Sequence, residues 1–197
     1  MADRQPHRRS SAETKARILE AAKEAFSTRG YAHSVLSEIA ESADVTSPLV
    51  IRYFGSKEAL FEEAFSECID MMPFLASEPQ HFGKNAMALL TESHLPTVRS
   101  SAMLGHSIGD PQTREIAIRL LKERVIARVA DRLGGDPHAY ARAEITIMLA
   151  VGYTTLRILT PVSQADPAGQ DFVADWMSNA LQAVVNLPNE PSGNADS

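Results

Sequence analysis

Arg52, Tyr53 and Lys57 fall close together near the end of the stretch DVTSPLVIRYFGSKEAL, residues 44–60. A guanidinium offers a planar fork of donors that fits guanine O6/N7 or a phosphate. A phenol can bond a phosphate oxygen, and an ammonium is a compact point charge. Ser47 adds a hydroxyl just upstream. Pro48, Leu49 and Ile51 can make only apolar contact, of the kind a thymine methyl accepts. Such a set recognises a polyanion that carries bases; it does not make or break bonds. Tyr53 has a competing role as a packing residue, and Arg52 can serve a phosphate as readily as a base edge. No nucleophile–base set and no Gly-rich phosphate loop occurs, so an enzyme is the weaker reading. His94 and His106 lack a Cys, His or Glu partner at ligand spacing, so no metal or other cofactor is expected.

To present these side chains the chain needs a short helix with one face left free. Ser10-Ser11-Ala12-Glu13 reads as a capping box. Behind it Ile18, Leu19, Ala22, Ala25 and Phe26 recur at helical spacing, and Gly30 reads as the stop. Ser34 can cap a second helix with Leu36, Ile39, Ala40 and Ala43 inside. Asp44 falls in a turn that favours left-handed backbone. Thr46 can cap a third helix, with Pro48 in its first turn, Val50 and Phe54 facing in, and Gly55 ending it. A helix this short is not stable alone. Two short helices joined by a tight turn and packed on a longer one form a helix-turn-helix, whose second helix enters the DNA major groove. Lys57 then falls in the first turn of a fourth helix capped by Ser56, where free N–H groups favour a phosphate.

The charge agrees with an anionic partner at this end. The 197-residue chain carries −6 overall. Residues 1–57 hold nine Lys/Arg against seven Asp/Glu, a net +2, which leaves −8 for the remainder. Arg4, Arg8 and Arg9 make the start of the chain a basic arm, expected to be flexible over residues 1–12. No apolar run approaches the roughly 20 residues that span a bilayer, and no apolar segment follows the N-terminal basic residues as in a secretory signal. Cys68 is the single cysteine. A cytoplasmic protein with no membrane partner is expected.

The segments AKEAFSTRGY (22–31) and SEIAESADVTSPLVIRYFGSKEALF (37–61) resemble the N-terminal domain of the tetracycline-repressor (TetR) family. The resemblance covers roughly residues 13–65 and implies an all-α, two-domain homodimer acting as a transcription factor, with a C-terminal domain that usually binds an inducer. Carried onto this sequence, it assigns DNA contacts to Ser34, Ser37, Ser47, Pro48, Leu49, Ile51, Arg52, Tyr53 and Lys57, with Thr46 at the head of the recognition helix. The chain departs from the family pattern at Asp44, where Gly is usual, at Ile51, where an aromatic is usual, and at Ser37, where a long basic residue is frequent.

The remainder reads as further helices. The fourth carries Leu60, Phe61, Ala64, Phe65, Cys68, Ile69 and Met72 on one stripe. Others are expected near 81–93 and 97–108, from Asp110-Pro111 to about 133, from Asp136-Pro137 to about 159, and near 168–186, giving about nine in all. The segment 187–197 is expected to be a disordered tail. Met71, Met72, Phe74, Met87, Met103, Met148 and Trp176 can line a pocket or form ordinary core. Val151 and Thr154 would bound such a pocket, and Arg157 is an exposed helix end, a structural ion pair or the partner of an anionic ligand. The stretches SSAMLGHSIGDPQTREIAIRLL and RLGGDPHAYARAEITIMLAVGYTTLRIL resemble, more loosely, the C-terminal domains of one actinobacterial-type subgroup of the same family. That implies a dimer formed by the helices near 139–160 and 168–186.

The expected organisation is an arm (1–12), a helix-turn-helix domain (13–57), a ligand-binding and dimerisation domain (58–186) and the tail. The expected function is a homodimeric repressor on a near-palindromic double-stranded operator, released by a small apolar inducer. The alternative is a helix-turn-helix factor regulated by a protein partner without an inducer.

Overall fold

The computed structural model describes residues 11–69, 78–91, 95–134, 137–160, 162 and 166–187. Among them all regular structure is helical, and nine helices form, as the sequence pattern predicts. They are α1 (Ser11–His33), α2 (Leu36–Ser42), α3 (Ser47–Phe54), α4 (Lys57–Cys68), α5 (Phe82–Thr91), α6 (Leu95–Ser107), α7, α8 and α9 (Pro167–Asn186). Helix α7 runs from Pro111–Leu120 through a π-helical stretch, Leu121–Ile126, into Ala127–Arg132. Helix α8 is Ala139–Thr154, extended by a second π-helical stretch, Thr155–Leu159. The chain folds into two compact units. One gathers α1–α4 with Met103–Ala117; the other holds Ile69–Ala102 and everything from Ile118 onward.

In the first unit α1 packs on α4 through the stripes their sequences predict. Ile18, Ala22 and Phe26 are buried from one side, and Leu60, Phe61, Ala64 and Phe65 from the other. Phe61 sits edge-on to Phe26 (5.4 Å between centroids) and Tyr31 (5.8 Å), and stacks with Phe65 at 5.9 Å. Edge-to-face pairs set the positive rim of one ring against the negative face of the other. Helix α2 adds Ile39 and Ala40, and α3 adds Val50 and Phe54. Ion pairs Lys15–Glu63 (2.7 Å) and Lys23–Glu67 (3.3 Å) link α1 and α4 at the rim. Gly30 breaks the regular course of α1, as its sequence suggests. The chain kinks there (φ 75°, ψ 169°), a left-sided φ that glycine adopts without a Cβ penalty, and helical residues continue to His33.

In the second unit small residues allow close approach between helices around a core of Phe82, Leu90, Leu120 and Leu181. Helix α5 lies so close to α9 at Gly83 that a Cβ there would strike the Ser178 carbonyl. The Gly83 N–H donates to Gln182 Oε1 (3.0 Å), and Gln182 Nε2 donates to the Pro79 carbonyl (2.8 Å). Helix α8 buries Ala139, Ala143, Thr146 and Thr154 against its neighbours, along with Arg142. The Arg142 guanidinium donates to the carbonyls of Leu133 (3.0 Å), Leu187 (3.2 Å) and Val185 (3.4 Å), groups left over where α7 and α9 end. The expected cap Asp136 lies outside the described residues; α8 begins at Ala139 with His138 at its cap position. Asp166 caps α9, accepting from the Gly169 N–H at 2.8 Å. Among the described residues no helix is long and apolar enough to cross a membrane.

Candidate nucleic-acid interface

Helices α2 and α3 are joined by residues 43–46. The Val45 N–H donates to the Ala40 carbonyl (2.9 Å) and the Asp44 N–H to the Glu41 carbonyl (2.9 Å). This double bond pattern closes a helix through one left-handed residue, usually glycine. Here it is Asp44, at φ 52°. Its carboxylate reaches the Arg17 guanidinium of α1 at 3.6 Å, which ties the turn to the supporting helix. Helix α3 begins with Pro48 in its first turn, where no N–H is missed, and ends at Gly55. Thr46 occupies the cap position without a side-chain hydrogen bond.

Val50 and Phe54 point into the core, so α3 turns its other side outward. Pro48, Ile51 and Arg52 are exposed; Ser47, Leu49 and Tyr53 are half-buried. The Lys and Arg residues described on α1–α4 differ in one respect. Lys15, Arg17, Lys23 and Arg29 pair with Glu63, Asp44, Glu67 and Glu38. Lys57 donates to a backbone carbonyl. Arg52 has no hydrogen-bond or ion-pair partner among the described residues. An exposed guanidinium with its fork unused is ready for a bidentate acceptor. Tyr53 Oη lies 3.0 Å from Ser11 Oγ at the start of α1. Exposed Ser37 and Thr46, with Ser47, Glu41 and Asp44, line an open groove of about 490 Å³ along the turn.

Two expected contacts stand elsewhere. Ser34 is buried, and its hydroxyl donates to the carbonyls of Gly30 (2.7 Å) and Ala25 (3.1 Å). It does not cap α2, whose cap position is Val35. Lys57 Nζ donates to the Tyr31 carbonyl at 2.6 Å and sits 4.1 Å from the centre of the Tyr31 ring. The Tyr31 hydroxyl donates to Glu58 Oε1 at 2.6 Å. Burial lowers the Lys57 pKa, and the Tyr31 hydrogen bond lowers that of Glu58. Burial, then Glu58, raise that of Tyr31. Neither Ser11 nor Glu58 was expected at the site: both partners lie far away in sequence, and an exposed Ser or Glu carries no periodic signal.

The expected ligand residues are dispersed. Met71, Met72 and Phe74 lie outside the described residues. Met103 is buried in the first unit and Met87 in the second. Thr154 is buried with its hydroxyl donating to the Ala150 carbonyl (3.0 Å), and Val151 is half-buried. Arg157 is half-buried beside the Tyr153 ring, at 5.9 Å. Met148 faces solvent at 63% exposure, as does Trp176 at 57%.

Comparison with known proteins covers most of this architecture. Residues 18–64 match the family described as bacterial regulatory proteins, tetR family. Residues 88–185 match the tetracyclin repressor-like C-terminal domain. A curated relative, the uncharacterized HTH-type transcriptional regulator YdgC of Bacillus subtilis (strain 168), is 42% identical over 55 residues, which span 28% of this chain and 28% of that relative. Among solved structures, a TetR-family transcriptional regulator from Rhodococcus sp. superposes with a TM-score of 0.71 at 16% identity, over 88% of this chain and 99% of that one. A transcriptional regulator from Aquifex aeolicus VF5 gives 0.63 at 18% identity, over 87% and 99%. A TetR-family regulator from Streptomyces coelicolor A3 gives 0.50 at 26% identity, over 93% and 99%. At such identities the Rhodococcus and Aquifex likenesses speak for the fold.

Proposed function

The chain belongs to the tetR family of bacterial regulatory proteins, and from that premise we propose that it is a cytoplasmic, homodimeric repressor that reads a near-palindromic operator and is released by a small apolar ligand. The observation that carries the DNA reading is Arg52, exposed on the outer face of α3 with its donors unengaged among the described residues. Around it Ser47, Pro48, Leu49 and Ile51 form the reading surface, while Ser37, Thr46 and Tyr53 flank it toward the phosphates. Phosphate contacts set register and base contacts set sequence.

A dimer is supported by the outer faces of α8 and α9. Ile145, Met148 and Leu156 follow one another along α8, and Phe172 and Trp176 stand one turn apart on α9, all exposed in the single chain. Rows of large apolar side chains on two neighbouring helices are what a second copy of the same surface would cover. Two recognition helices related by a two-fold axis then meet half-sites about one helical turn, roughly 34–36 Å, apart.

Ligand release is supported by the C-terminal family match and by the π-helical stretches in α7 and α8, a feature frequent at functional sites. The ligand acts by favouring a dimer whose recognition helices no longer fit adjacent grooves, and it shifts that balance only by its differential affinity.

The test is selection of DNA by the purified protein from a random pool, followed by binding of the selected site. An inverted repeat is expected. Arg52→Ala should cost about 1–3 kcal/mol on that site and relax the preference at one position of each half-site. A selected site without two-fold symmetry overturns the dimeric reading. Equal loss on selected and scrambled sites makes Arg52 a phosphate contact.

A further inference from the structure

We propose that Lys57 is a positioning residue for the recognition helix, clasping the α3–α4 turn to the end of α1 through Tyr31, and is not a phosphate anchor. The inference rests on the DNA-binding reading above and refines the role of one residue within it.

Lys57 is the first residue of α4, three residues beyond the end of α3. Its ammonium points back to α1. There it meets the Tyr31 carbonyl at 2.6 Å and the face of the Tyr31 ring at 4.1 Å. A carbonyl near a helix end carries partial negative charge, and an aromatic face attracts a cation, so both contacts favour the same position. Tyr31 is itself fixed. It is buried, it lies 5.8 Å from Phe61, and its hydroxyl is bonded to Glu58, the neighbour of Lys57. The two ends of Tyr31 thus hold two successive residues of α4.

The end of α1 is held from another side as well. Arg29, Gly30 and Tyr31 form one wall of a cleft of about 560 Å³, and His106 and Asp110 form part of the other. Gly30 lets the α1 backbone approach His106: a Cβ there would come within 3.1 Å of the His106 side chain. The charge of Asp110 also acts on both Tyr31 and Lys57. Tyr31 therefore stands between the Met103–Ala117 segment and the α3–α4 turn, all within one compact unit. One of the three ammonium donors is thus spent on the carbonyl and the ring face covers another side, so at most part of the group is left to turn toward a DNA phosphate.

Three measurements on the full-length chain test this. In the free protein, Lys57→Met should speed amide hydrogen exchange in α3 at least about tenfold relative to α5, while Lys57→Arg, which can also donate to a carbonyl and stack on a ring, restores protection. On DNA, Lys57→Met should narrow the ratio of operator to scrambled-site affinity by about tenfold. The slope of log affinity against log salt should change little, whereas loss of a phosphate contact lowers it by about 0.9 per protomer. A slope reduced by that amount with an unchanged affinity ratio overturns the proposal. So does unchanged exchange in α3, and that result needs no DNA. Should the wild-type chain select no sequence at all, the DNA-binding reading falls, and the exchange experiment still decides whether Lys57 holds the turn.

Discussion

The two units differ in what they leave outside. On α1–α4, Val35 and Ile51 are the large apolar side chains exposed among the described residues, one before α2 and one on the outer face of α3. On α8 and α9 a whole row is exposed, with Phe172 at 68% and Met148 at 63% as its most exposed members. The first unit closes its core within one chain, around Phe26, Tyr31, Phe61 and Phe65. Outside these helices the same unit exposes Ile108, but the outer face of α3 is largely polar around Arg52, whose guanidinium is uncommitted among the described residues. A surface of that kind suits a hydrated, charged partner that comes and goes with salt. The apolar face of the second unit instead suits a permanent neighbour, because homodimer interfaces are more apolar than ordinary surface. On the proposed reading one chain would carry two kinds of recognition, separable by what each surface would lose in water.

The largest effect expected is on the closed core. Phe61→Ala removes a buried ring that meets Phe26, Tyr31 and Phe65, and should cost about 3–5 kcal/mol of stability. Chemical denaturation of the purified variant measures it. A loss below about 1 kcal/mol would mean that this core is loosely packed, and the contrast with the second unit would fail on its first side.

Next comes the apolar row. Trp176→Glu places a charge on a side chain that is exposed in the single chain, so protomer stability should move by no more than about 0.5 kcal/mol. Dimer association should weaken by about 2 kcal/mol or more, the usual loss for a large aromatic at an interface centre. Sedimentation equilibrium reads the dimer constant, and chemical denaturation of the dilute protein reads the protomer stability. A dimer constant unmoved by the substitution would leave the row without its proposed partner.

The two units were also unequally legible. In the first, each element announces itself through local chemistry. Pro48 starts a helix, Asp44 and Gly55 take positive φ, and Ser56 accepts the Ala59 N–H at 3.1 Å. Asp110, in the Met103–Ala117 segment of the same unit, caps α7 as its sequence suggests, accepting from the N–H groups of Gln112 (2.9 Å) and Thr113 (3.3 Å). What escaped the sequence has a common physical cause. Ser34 reads as a helix cap, yet its hydroxyl turns back to α1; Lys57 reads as a phosphate ligand, yet it clasps a carbonyl 26 residues away. Arg142, in the first turns of α8, carries no signal of burial in its sequence, yet it is buried against the ends of two other helices. Short-range spacing reports which face of a helix is apolar. It does not report which distant backbone group a polar side chain will find, since that depends on tertiary packing. The π-helical stretches leave no mark either, because one extra residue per turn barely disturbs an apolar stripe.

The smallest effect tests the polar rim of the first unit rather than its core. Tyr31→Phe keeps the buried ring, and with it the edge contact to Phe61 and the face beneath Lys57, and removes the hydroxyl that bonds Glu58. The expected cost near neutral pH is about 0.5–1.5 kcal/mol, that of one hydrogen bond at a half-buried position. Its pH dependence is the more telling quantity. The Tyr31 hydrogen bond holds the Glu58 carboxyl below its ordinary value, so folding favours the ionised form. That contribution is complete above about pH 4.3, the unfolded value, and is lost as pH falls through the lower folded value. The wild-type chain and Tyr31→Phe should therefore differ at pH 6 and converge as the carboxylate is protonated. On the alkaline side the Tyr31 pKa is raised, first by burial and then by Glu58, so its contribution is complete below about pH 10 and is lost only as pH rises through the folded value. Urea midpoints measured from pH 6 down to pH 2 read the acid limb directly. If the gap between the two proteins stays constant over that range, the Tyr31–Glu58 bond does not set the carboxyl's proton affinity, and Tyr31 supports this unit through its buried ring.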